Sequence, residues 1–452
     1  MAFNNLPAGI QSMIQQGFLQ HALYEAMEAK LGFRAIADLE PFPNAIGETV
    51  TKTRTGLLPA VTTPMAPAAN ADITSGLTPQ NFAVEQFIMT LNQYPCTMNL
   101  NVVTSGVAIE RQFLLNAAKL AENALRSVDT IAQQTLYNTY MGGNTRVRTT
   151  LGAPGVAVNV DDIRGFQYTL NASGQVVPVS VSFPVNVVVN ANVYSLTGAA
   201  ADVSNVSTAP GGISGVLTFS GNVTVNDGTA LNAAISAVAP IVFRPSSSAA
   251  NVMATTTAAI SRANDINFSK LTMDMILNAK ATMSANGVPV VNDSGLYNMY
   301  SDPLQLTGLY GDPAFQQFFR GRDQSDEYRK GVVADLLGVR IIETNINPVQ
   351  NLAGVGLVRR AIICGQGSLI ESGYTSAAYK QAEDSPSDSQ IAIFDGIAHI
   401  TREPLDVLQQ VVSQSWSYIG GFCVPSDTTS NPTTIPTANN SAFKRAIILE
   451  SL

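Results

Sequence analysis

The residue types best suited to catalysis or metal binding are few and isolated in this sequence. The two histidines, His21 and His399, lie far apart, and neither belongs to an HExxH motif or another metal-ligand spacing. The Gly-x-Gly sequences at 354–356 and 365–367 lack the third glycine of a dinucleotide fingerprint, and no phosphate-loop or GxSxG motif occurs. We therefore expect no catalytic centre, no metal site and no cofactor.

Two charged segments leave alternatives open. The acidic stretch 383–388 could bind a hard cation, but it lacks the regular ligand spacing of a calcium loop, so a solvated loop is the favoured alternative. The mixed-charge run 320–330 either pairs with complementary charges on a neighbouring molecule or forms an exposed loop with weak ion pairs.

Composition excludes several classes of protein. The chain has 452 residues, of which 46% are apolar and only 13% charged, which rules out a disordered chain and a coiled-coil rod. Its length predicts two to four compact units. Because so little charge keeps the surface soluble, we expect partners to cover much of it. The net charge of −8 argues against a basic surface that grips nucleic acid.

The sequence also indicates in which compartment the protein is made. The N-terminal segment has no basic start followed by an apolar core, so we expect no signal peptide, and no run reaches the roughly 18–20 apolar residues of a membrane span. The three cysteines are an odd number and far apart, which favours a reducing compartment. We expect the protein to be made in cytoplasm.

The hydrophobic pattern divides the chain into contrasting parts. A short amphipathic helix is predicted at Ile14–Leu31, and strand-like extended segments follow between 47 and 101. Apolar residues spaced by three or four then predict one long helix over Val107–Met141, capped by Thr104 or Ser105 and ended by Gly142-Gly143. At 1.5 Å per residue such a helix spans roughly 50 Å.

The middle of the chain contains a block of unusual composition, between Leu151 and about Ala254. From Gly165 to Phe243 the only charged residues are Asp202 and Asp227. Period-two segments at Val176–Phe183, Val185–Leu196 and Gly215–Val225 predict a small β-sandwich or barrel. The remainder alternates elements: a helix capped by Ser269 and ended at Asn286-Gly287, a short helix around Phe315, and later strands that include Ile391–Ile400 and Val407–Val424.

Three short sequences, in this order, resemble a known family. They are Thr51-Lys52-Thr53-Arg54 with Leu58 and Thr62-Thr63-Pro64-Met65, then Thr90-Leu91-Asn92-Gln93-Tyr94, then Leu337-Gly338-Val339-Arg340-Ile341-Ile342-Glu343-Thr344-Asn345. Together with the order of elements, they are similar to the major capsid proteins of tailed bacteriophages, which have the Hong Kong 97-like fold. They are similar to the podovirus coat-protein family that includes the phage N-four coat protein. The β-rich block departs from that family's pattern and is interpreted as an insertion.

The resemblance implies an α+β fold with an N-terminal arm, an extended loop, a spine helix, P and A domains, and an inserted all-β sandwich or barrel-like domain. The implied division is 1–45 for the N-terminal arm, 46–104 for the extended loop, 105–149 for the spine helix of the P domain, 150–255 for the inserted domain, 256–400 for the A domain with part of the P domain, and 401–452 for the returning P-domain strands and tail.

The implied function is that of a coat subunit, not of an enzyme. Hexamers and pentamers would form an icosahedral shell around double-stranded DNA without sequence-specific binding. Assembly would take place in the host bacterial cytoplasm, with a scaffolding protein, a portal protein and a decoration or cement protein as further partners and no membrane. Contacts between subunits are hypothesised at Lys52, Arg54, Leu58, Phe82, Phe87, Arg320, Arg322 and Arg329.

Two rival functions remain. A secreted surface-layer protein or adhesin would suit the Ser/Thr/Asn-rich β block, but the expected absence of a signal peptide and the 35-residue predicted helix count against it. An enzyme of unrecognised class is the other rival, and no constellation of catalytic residues supports it.

Overall fold

A computed structural model of the chain describes residues 32–40, 49–55, 60–62, 84–101, 109–190, 192–202, 211–226, 230–233, 242–245, 253–255, 270–291, 295–320, 335–352, 356–373, 389–402, 407, 410–425, 428–430, 433–436 and 444–451. The predicted helix Ile14–Leu31, the acidic stretch 383–388 and the two predicted caps Thr104 and Ser105 lie outside these residues.

The described residues form a mixed α+β fold. The helices are a 3₁₀ turn at Phe33–Ile36, α1 (Ile109–Met141), α2 (Met273–Ala285), α3 (Pro303–Tyr310) and α4 (Pro313–Arg320). The strands are β1 (Ala37–Leu39), β2 (Thr49–Thr55), β3 (Val84–Thr90), β4 (Asn92–Asn101), β5 (Asn144–Arg146), β6 (Gly155–Val160), β7 (Tyr168–Leu170), β8 (Val176–Pro178), β9 (Val185–Val189), β10 (Asn192–Ala201), β11 (Gly215–Val223), β12 (Ala230–Ala233), β13 (Val242–Pro245), β14 (Met253–Thr255), β15 (Tyr297–Ser301), β16 (Asp335–Leu336), β17 (Val339–Glu343), β18 (Val349–Leu352), β19 (Gly356–Cys364), β20 (Leu369–Gly373), β21 (Ser389–Phe394), β22 (Ile397–Arg402), β23 (Val411–Cys423), β24 (Thr428–Ser430), β25 (Thr433–Ile435) and β26 (Ala446–Ser451).

Three large sheets organise these strands. Sheet I has the order β1-β20-β23-β22-β21, with β4 also paired to β23. Sheet II has the order β5-β12-β9-β10-β11-β6. Sheet III has the order β14-β13-β26-β19-β15-β17-β16, with β18 also paired to β19. Strand β26 lies inside sheet III, between β13 and β19.

Helix α1 is the common support of sheets I and III. Its apolar positions repeat every three or four residues and are buried, as at Phe113, Leu120, Val128 and Leu136. These side chains share one hydrophobic core with residues of both sheets. The prediction of one long helix ending at Gly142-Gly143 is confirmed, and Gly143 adopts the left-handed conformation (φ 75°) that favours glycine after a helix.

A second core lies between sheet III and the three shorter helices. Helix α2 ends at Asn286-Gly287 as predicted, but its N-cap is Thr272, whose side chain accepts the Met275 N–H at 3.4 Å, and not Ser269. The predicted short helix at Phe315 is confirmed as α4, and Phe315 is buried in this core.

Two predicted strands are hairpins instead. Val185–Leu196 is divided into β9 and β10 at Asn190, which has a positive φ of 49°. Ile391–Ile400 is divided by the two-residue turn Asp395-Gly396, where both residues have positive φ, as an Asp-Gly hairpin turn requires. In both segments the alternation of side chains continues on either side of the turn. The pattern therefore predicts strands but does not show that the chain reverses direction between them.

Sheet II extends across the predicted boundary at 150. Along the chain, the first strand of sheet II is β5 and the last is β12. Strands β13 and β14 also fall within 150–255 but belong to sheet III. Sheet II has a hydrophobic core of its own, built from residues such as Val158, Val187 and Leu217.

Two leucines of α1 provide a test of the helix placement. Leu120 is 1% exposed and Leu115 on the same helix is 50% exposed. Leu120→Ala should lower the free energy of unfolding of the isolated subunit by about 2–5 kcal/mol, because it leaves a cavity. The matched variant Leu115→Ala should change it by no more than about 0.5 kcal/mol. Urea denaturation followed by circular dichroism measures both, and equal losses would contradict this placement of the helix.

Candidate assembly site

The segment that follows the N-terminal 31 residues is inserted into the body of the subunit. We call Gly32–Ile36 the N-terminal plug. The Phe33 ring is fully buried, stacked on Tyr300 of β15 at 4.6 Å between ring centroids and edge-on to Tyr137 of α1 at 6.0 Å. One aromatic side chain therefore joins helix α1 to sheet III.

Asp129 of α1 holds the backbone of the plug. Its carboxylate accepts the N–H of Arg34 at 3.0 Å. A Cβ at Gly32 would lie 2.2 Å from Asp129 Oδ1, so the chain passes this carboxylate closely enough to require glycine. Burial raises the pKa of the Asp129 carboxyl, while hydrogen bonds from the backbone of Arg34 and Phe33 oppose that rise.

The Arg34 side chain joins the plug to sheet I. Its Nε and Nη2 atoms donate to the Glu371 carboxylate at 2.8–3.1 Å, and Nη1 donates to Asp395 Oδ2 at 2.6 Å. The Tyr418 hydroxyl donates to the same Glu371 carboxylate at 2.9 Å, and its ring lies 5.9 Å from the guanidinium carbon. Burial and then the Glu371 charge raise the pKa of Tyr418, which keeps its hydroxyl a donor.

Strands β2 and β3 form a two-stranded ribbon, paired from Thr49 with Thr90 to Thr55 with Val84. We call its two sides the inner and outer faces. On the inner face, Phe87 and Met89 are buried against Ile370 and Cys423 of sheet I. The outer face of β2 is a row of exposed threonines: Thr49, Thr51, Thr53 and Thr55. The ribbon thus uses one face within its own chain and leaves the other open.

Lys52 and Arg54 lie on the inner face and bond within the subunit. Lys52 Nζ forms an ion pair with the Glu40 carboxylate, and Arg54 Nη1 donates to the Pro425 carbonyl at 3.2 Å. Burial, and then the nearby charge of Arg445, lower the pKa of Arg54. Strand β2 of the ribbon is therefore held to the body by polar contacts as well as by apolar packing.

The hypothesised contact residues are placed as follows. Phe87 is 5% exposed and packs against Ile370 and Cys423 of its own chain. Alternation separates the two faces of a strand but does not tell which one is covered. Arg320 is the last residue of α4. Leu58, Phe82, Arg322 and Arg329 lie outside the described residues.

A buried network fastens sheet II to sheet III. Arg360 of β19 is fully buried, and its Nε donates to Glu450 of β26 at 2.9 Å. Its Nη2 donates to the Gln350 side chain at 2.7 Å, and its Nη1 to the Gly211 carbonyl. Gln350 in turn donates to the Asp161 carbonyl at 2.9 Å. Gly211 and Asp161 belong to the sheet II region, so that region is held to sheet III by buried polar contacts.

A second contact joins the sheet II region to the end of α1. The Arg164 guanidinium donates to both oxygens of Asp162 at 2.6–3.0 Å and to Asn138 of α1 at 2.5 Å. The Arg164 carbonyl accepts the Gly143 N–H at 2.8 Å, immediately after the helix. The region is therefore fastened at two separate points.

Of the three cysteines, Cys364 and Cys423 are buried and Cys96 is partly exposed. Burial raises the pKa of both the Cys364 and Cys423 thiols to about 12, so both stay protonated and weakly nucleophilic at neutral pH. Within the described ranges, no group of three or more His, Cys, Asp or Glu side chains is placed to hold a metal ion. In the same residues, no helix combines the length and apolar character needed to span a membrane.

Sequence reasoning missed the residues that fix this arrangement, namely Asp129, Glu371 and Arg360. A signal was present for the last, because Arg360 and Glu450 are opposite charges within two otherwise apolar segments, RRAIIC and AIILES. A charge in an apolar strand indicates a buried partner. No local pattern identifies which distant residue that partner is.

Glu371→Gln should lower the free energy of unfolding by about 3 kcal/mol, because it leaves the Arg34 guanidinium half-buried beside a neutral side chain. Asp395 still pairs with Arg34, which keeps the loss at the low end of that range. Glu122→Gln is the matched control, since Glu122 pairs with Lys119 on the exposed side of α1 and should contribute no more than about 0.5 kcal/mol. Urea midpoints measure both variants; equal effects would contradict the role of the plug.

His399 gives the isolated subunit a predictable dependence on pH. Its Nε2 atom is buried without a hydrogen-bond partner among the described residues, and burial lowers the pKa of the imidazole from 6.5 to about 4. Because the unfolded chain binds this proton more tightly, stability is complete above pH 6.5 and falls as the pH is lowered towards 4.

The expected loss from His399 between pH 7 and pH 5 is about 2 kcal/mol. His399→Gln should remove this part of the pH dependence, whereas His21→Gln should retain it. Urea titrations at the two pH values measure the difference. The same pH dependence in His399→Gln as in the unsubstituted protein would refute the assignment.

Comparisons with known proteins find similarity among solved structures. The capsid of Ralstonia phage GP4 matches with a TM-score of 0.46 and 12% identity, covering 95% of this chain and 90% of that chain. The capsid of cyanophage P-SCSP1u matches with a TM-score of 0.43 and 10% identity, covering 92% and 86%. The capsid asymmetric unit of cyanophage Pam1 matches with a TM-score of 0.43 and 13% identity, covering 90% and 86%.

No protein-family model matches the chain, and no curated protein matches it.

Proposed function

We propose that this chain is the major capsid protein of a tailed bacteriophage, which assembles through hexamers and pentamers into the icosahedral shell around double-stranded DNA. The observation that carries the proposal is the β2–β3 ribbon, fixed to its own subunit by one face and open on the other. Its inner face is already packed on sheet I, while its outer face presents a row of exposed threonines that a second chain can cover. In a shell, the adjacent subunit is that second chain.

The properties of the ribbon suit such a contact. Its outer threonines are uncharged and β-branched, so they can be covered by a neighbour without the cost of desolvating a charge. Lys52 and Arg54 hold strand β2 to the body. We propose that these contacts set the direction of the extended loop. Leu58, Phe82, Arg320, Arg322 and Arg329 remain proposed contacts with neighbouring subunits.

The body would then correspond to the Hong Kong 97-like fold. Helix α1 would be the spine helix and, with sheet I, the P domain; sheet III would belong to the A domain; and sheet II would be the inserted domain. The division at 45, 104, 149, 255 and 400 is kept as a proposal, with β5 added to the inserted domain and β13 and β14 assigned to the A domain. The spine spans about 50 Å, so contacts at its two ends serve different neighbours.

The proposed partners follow from this function. A scaffolding protein would guide assembly, a portal protein would occupy one vertex, and a decoration or cement protein would bind the exterior. The subunit would enclose the genome without sequence-specific binding, in keeping with its net charge of −8. Its location would be the virion, after assembly in the bacterial cytoplasm. The subunit would not be an enzyme.

The rival adhesin function is disfavoured by how the sheet II region is attached. An adhesin module on a linker needs no buried connection to the rest of the chain. Here the fully buried Arg360 joins Glu450, Gln350 and Gly211, which places the sheet II region as part of one body with sheet III.

Electron microscopy of the protein expressed alone, and with the products of neighbouring genes, tests the proposal. We expect closed shells or curved hexamer sheets. Deletion of Gly56–Thr78 should leave a soluble subunit that closes no shells, since it removes most of the extended loop. A monodisperse monomer under every condition would contradict the capsid function, and normal particles from the deletion variant would contradict the role of the loop.

The outer face of the ribbon has a sharper test. Thr51→Lys combined with Thr53→Lys should leave the fold intact and reduce shell formation at least tenfold, because it places two charges in the proposed contact. Thr307→Lys on the exposed side of α3 is the control and should form shells normally. Circular dichroism checks folding in each variant. Normal shells from the double variant would show that this face is not a subunit contact.

A further inference from the structure

Three buried polar side chains lie next to one another on the side of sheet I that faces α1. They are His399 and Thr401 of β22 and Gln414 of β23, and we call them the polar cluster. Thr401 pairs directly with Gln414 across the two strands, and His399 lies two residues before Thr401, so all three side chains project from the same face of the sheet. The Gln414 amide donates to the Phe113 carbonyl of α1 at 3.3 Å, so this face is the one packed on the helix.

Each member of the polar cluster has a buried atom that lacks a hydrogen-bond partner among the described residues. These atoms are His399 Nε2, Thr401 Oγ1 and Gln414 Oε1. The three residues are 5%, 0% and 1% exposed, so bulk solvent does not reach them. An unpaired buried polar atom is costly, and nearly all such atoms in folded proteins are paired with protein groups or with ordered water. Three of them at neighbouring positions indicate one shared partner.

The surroundings of the polar cluster are apolar and uncharged. Val412 and Trp416 flank Gln414 on the same face of β23, and both are buried in the hydrophobic core that α1 shares with sheet I. The Trp416 indole is already paired, because its Nε1 donates to Asn123 of α1 at 3.1 Å. Burial lowers the pKa of His399, and no charge among the described residues contributes to that shift. The cluster is therefore a polar site enclosed by an apolar contact between helix and sheet.

We propose that the polar cluster binds one internal water molecule between α1 and sheet I. Gln414 Oε1 only accepts hydrogen bonds, whereas His399 Nε2 and Thr401 Oγ1 can each donate or accept. Water both donates and accepts, so it satisfies all three atoms in either tautomer of the histidine. Buried waters typically make about three hydrogen bonds to otherwise unpaired groups, and the cavities that hold them are polar.

Other ways of pairing these atoms fit less well. A metal cation prefers a shell of carboxylate, carbonyl and water oxygens, and the cluster offers one amide oxygen and one hydroxyl. An anion would face the lone pairs of Gln414 Oε1 without a positive charge opposite it, because the His399 imidazole is neutral at pH 7. A direct hydrogen bond from the Thr401 hydroxyl to Gln414 pairs two of the atoms but leaves His399 Nε2 unpaired.

The water gives the first part of α1 a polar anchor on sheet I. Gln414 bonds to α1 through its amide nitrogen and to the water through its oxygen, so its side chain is held at both ends. Through Thr401 and His399 the water also joins β22 to the same point. The site lies within one subunit, so it goes beyond the proposed capsid function and does not depend on it.

An experimental structure of the full-length chain, at a resolution that shows ordered water, tests the proposal directly. We expect one density peak within about 2.7–3.2 Å of all three atoms. The peak should persist in Thr401→Ser, which keeps the hydroxyl, and disappear or weaken in Thr401→Val, which replaces it by a methyl group. Absence of the peak from the unsubstituted protein, or a direct bond between Thr401 and Gln414, would overturn the proposal. A peak that strengthens when rubidium replaces sodium would show a cation and overturn it too.

Stability provides a second measurement. If the Thr401 hydroxyl has no partner, its removal should stabilise the subunit; if it binds the water, Thr401→Val should raise the unfolding equilibrium constant about tenfold. Thr97→Val on β4 is the matched control in the same sheet, because the Thr97 hydroxyl pairs with Ser415 on the exposed side and its loss should change the constant by less than about twofold. Urea denaturation at pH 7 measures both variants. An unfolding constant that is unchanged or lower in Thr401→Val would refute the water site.

Discussion

The ion pair between Arg34 and Glu371 fixes the point at which the N-terminal part of the chain enters the body. The guanidinium must lie where Glu371 and Asp395 both reach it, and this places Phe33 between Tyr137 and Tyr300. Helix α1 and sheets I and III all contact this short plug. The plug therefore adds aromatic and ionic contacts to the hydrophobic core that already joins these three elements.

Buried ion pairs of this kind act mainly on geometry. The cost of removing two charges from water largely offsets their attraction, so the net gain in stability is small. Only one arrangement, however, satisfies all donors and acceptors at once, and every other arrangement leaves a buried charge unpaired. The Arg360 network applies the same constraint to sheet II. A subunit that must present its contact surfaces in fixed directions needs this kind of constraint more than it needs added stability.

How far the sequence predicts this fold depends on the range of the interactions involved. The predicted helix Val107–Met141 agrees with α1 over its described residues, because the periodicity of α1 is local and runs for nine turns. The hairpins at Asn190 and Asp395-Gly396 were missed, although Asp-Gly is a known hairpin signal, since alternation continues on both sides of each turn. The partner of Glu371 was beyond reach, because Arg34 lies 337 positions away in the chain.

The same reasoning explains why the buried face of β3 is not predictable from the sequence. Period-two alternation assigns Phe87 and Ile88 to opposite faces of β3, but the covered face depends on where Ile370 and Cys423 come to lie, and those positions are set by sheet I. The uncharged composition of the β-rich block was visible from the sequence, yet its meaning depended on register: the same Val, Ser and Thr residues could have filled a core. Only the pairing of β9, β10, β11 and β6 separates a buried face from an open one. Strand register, and not composition, is therefore what assigns particular residues of this block to its hydrophobic core.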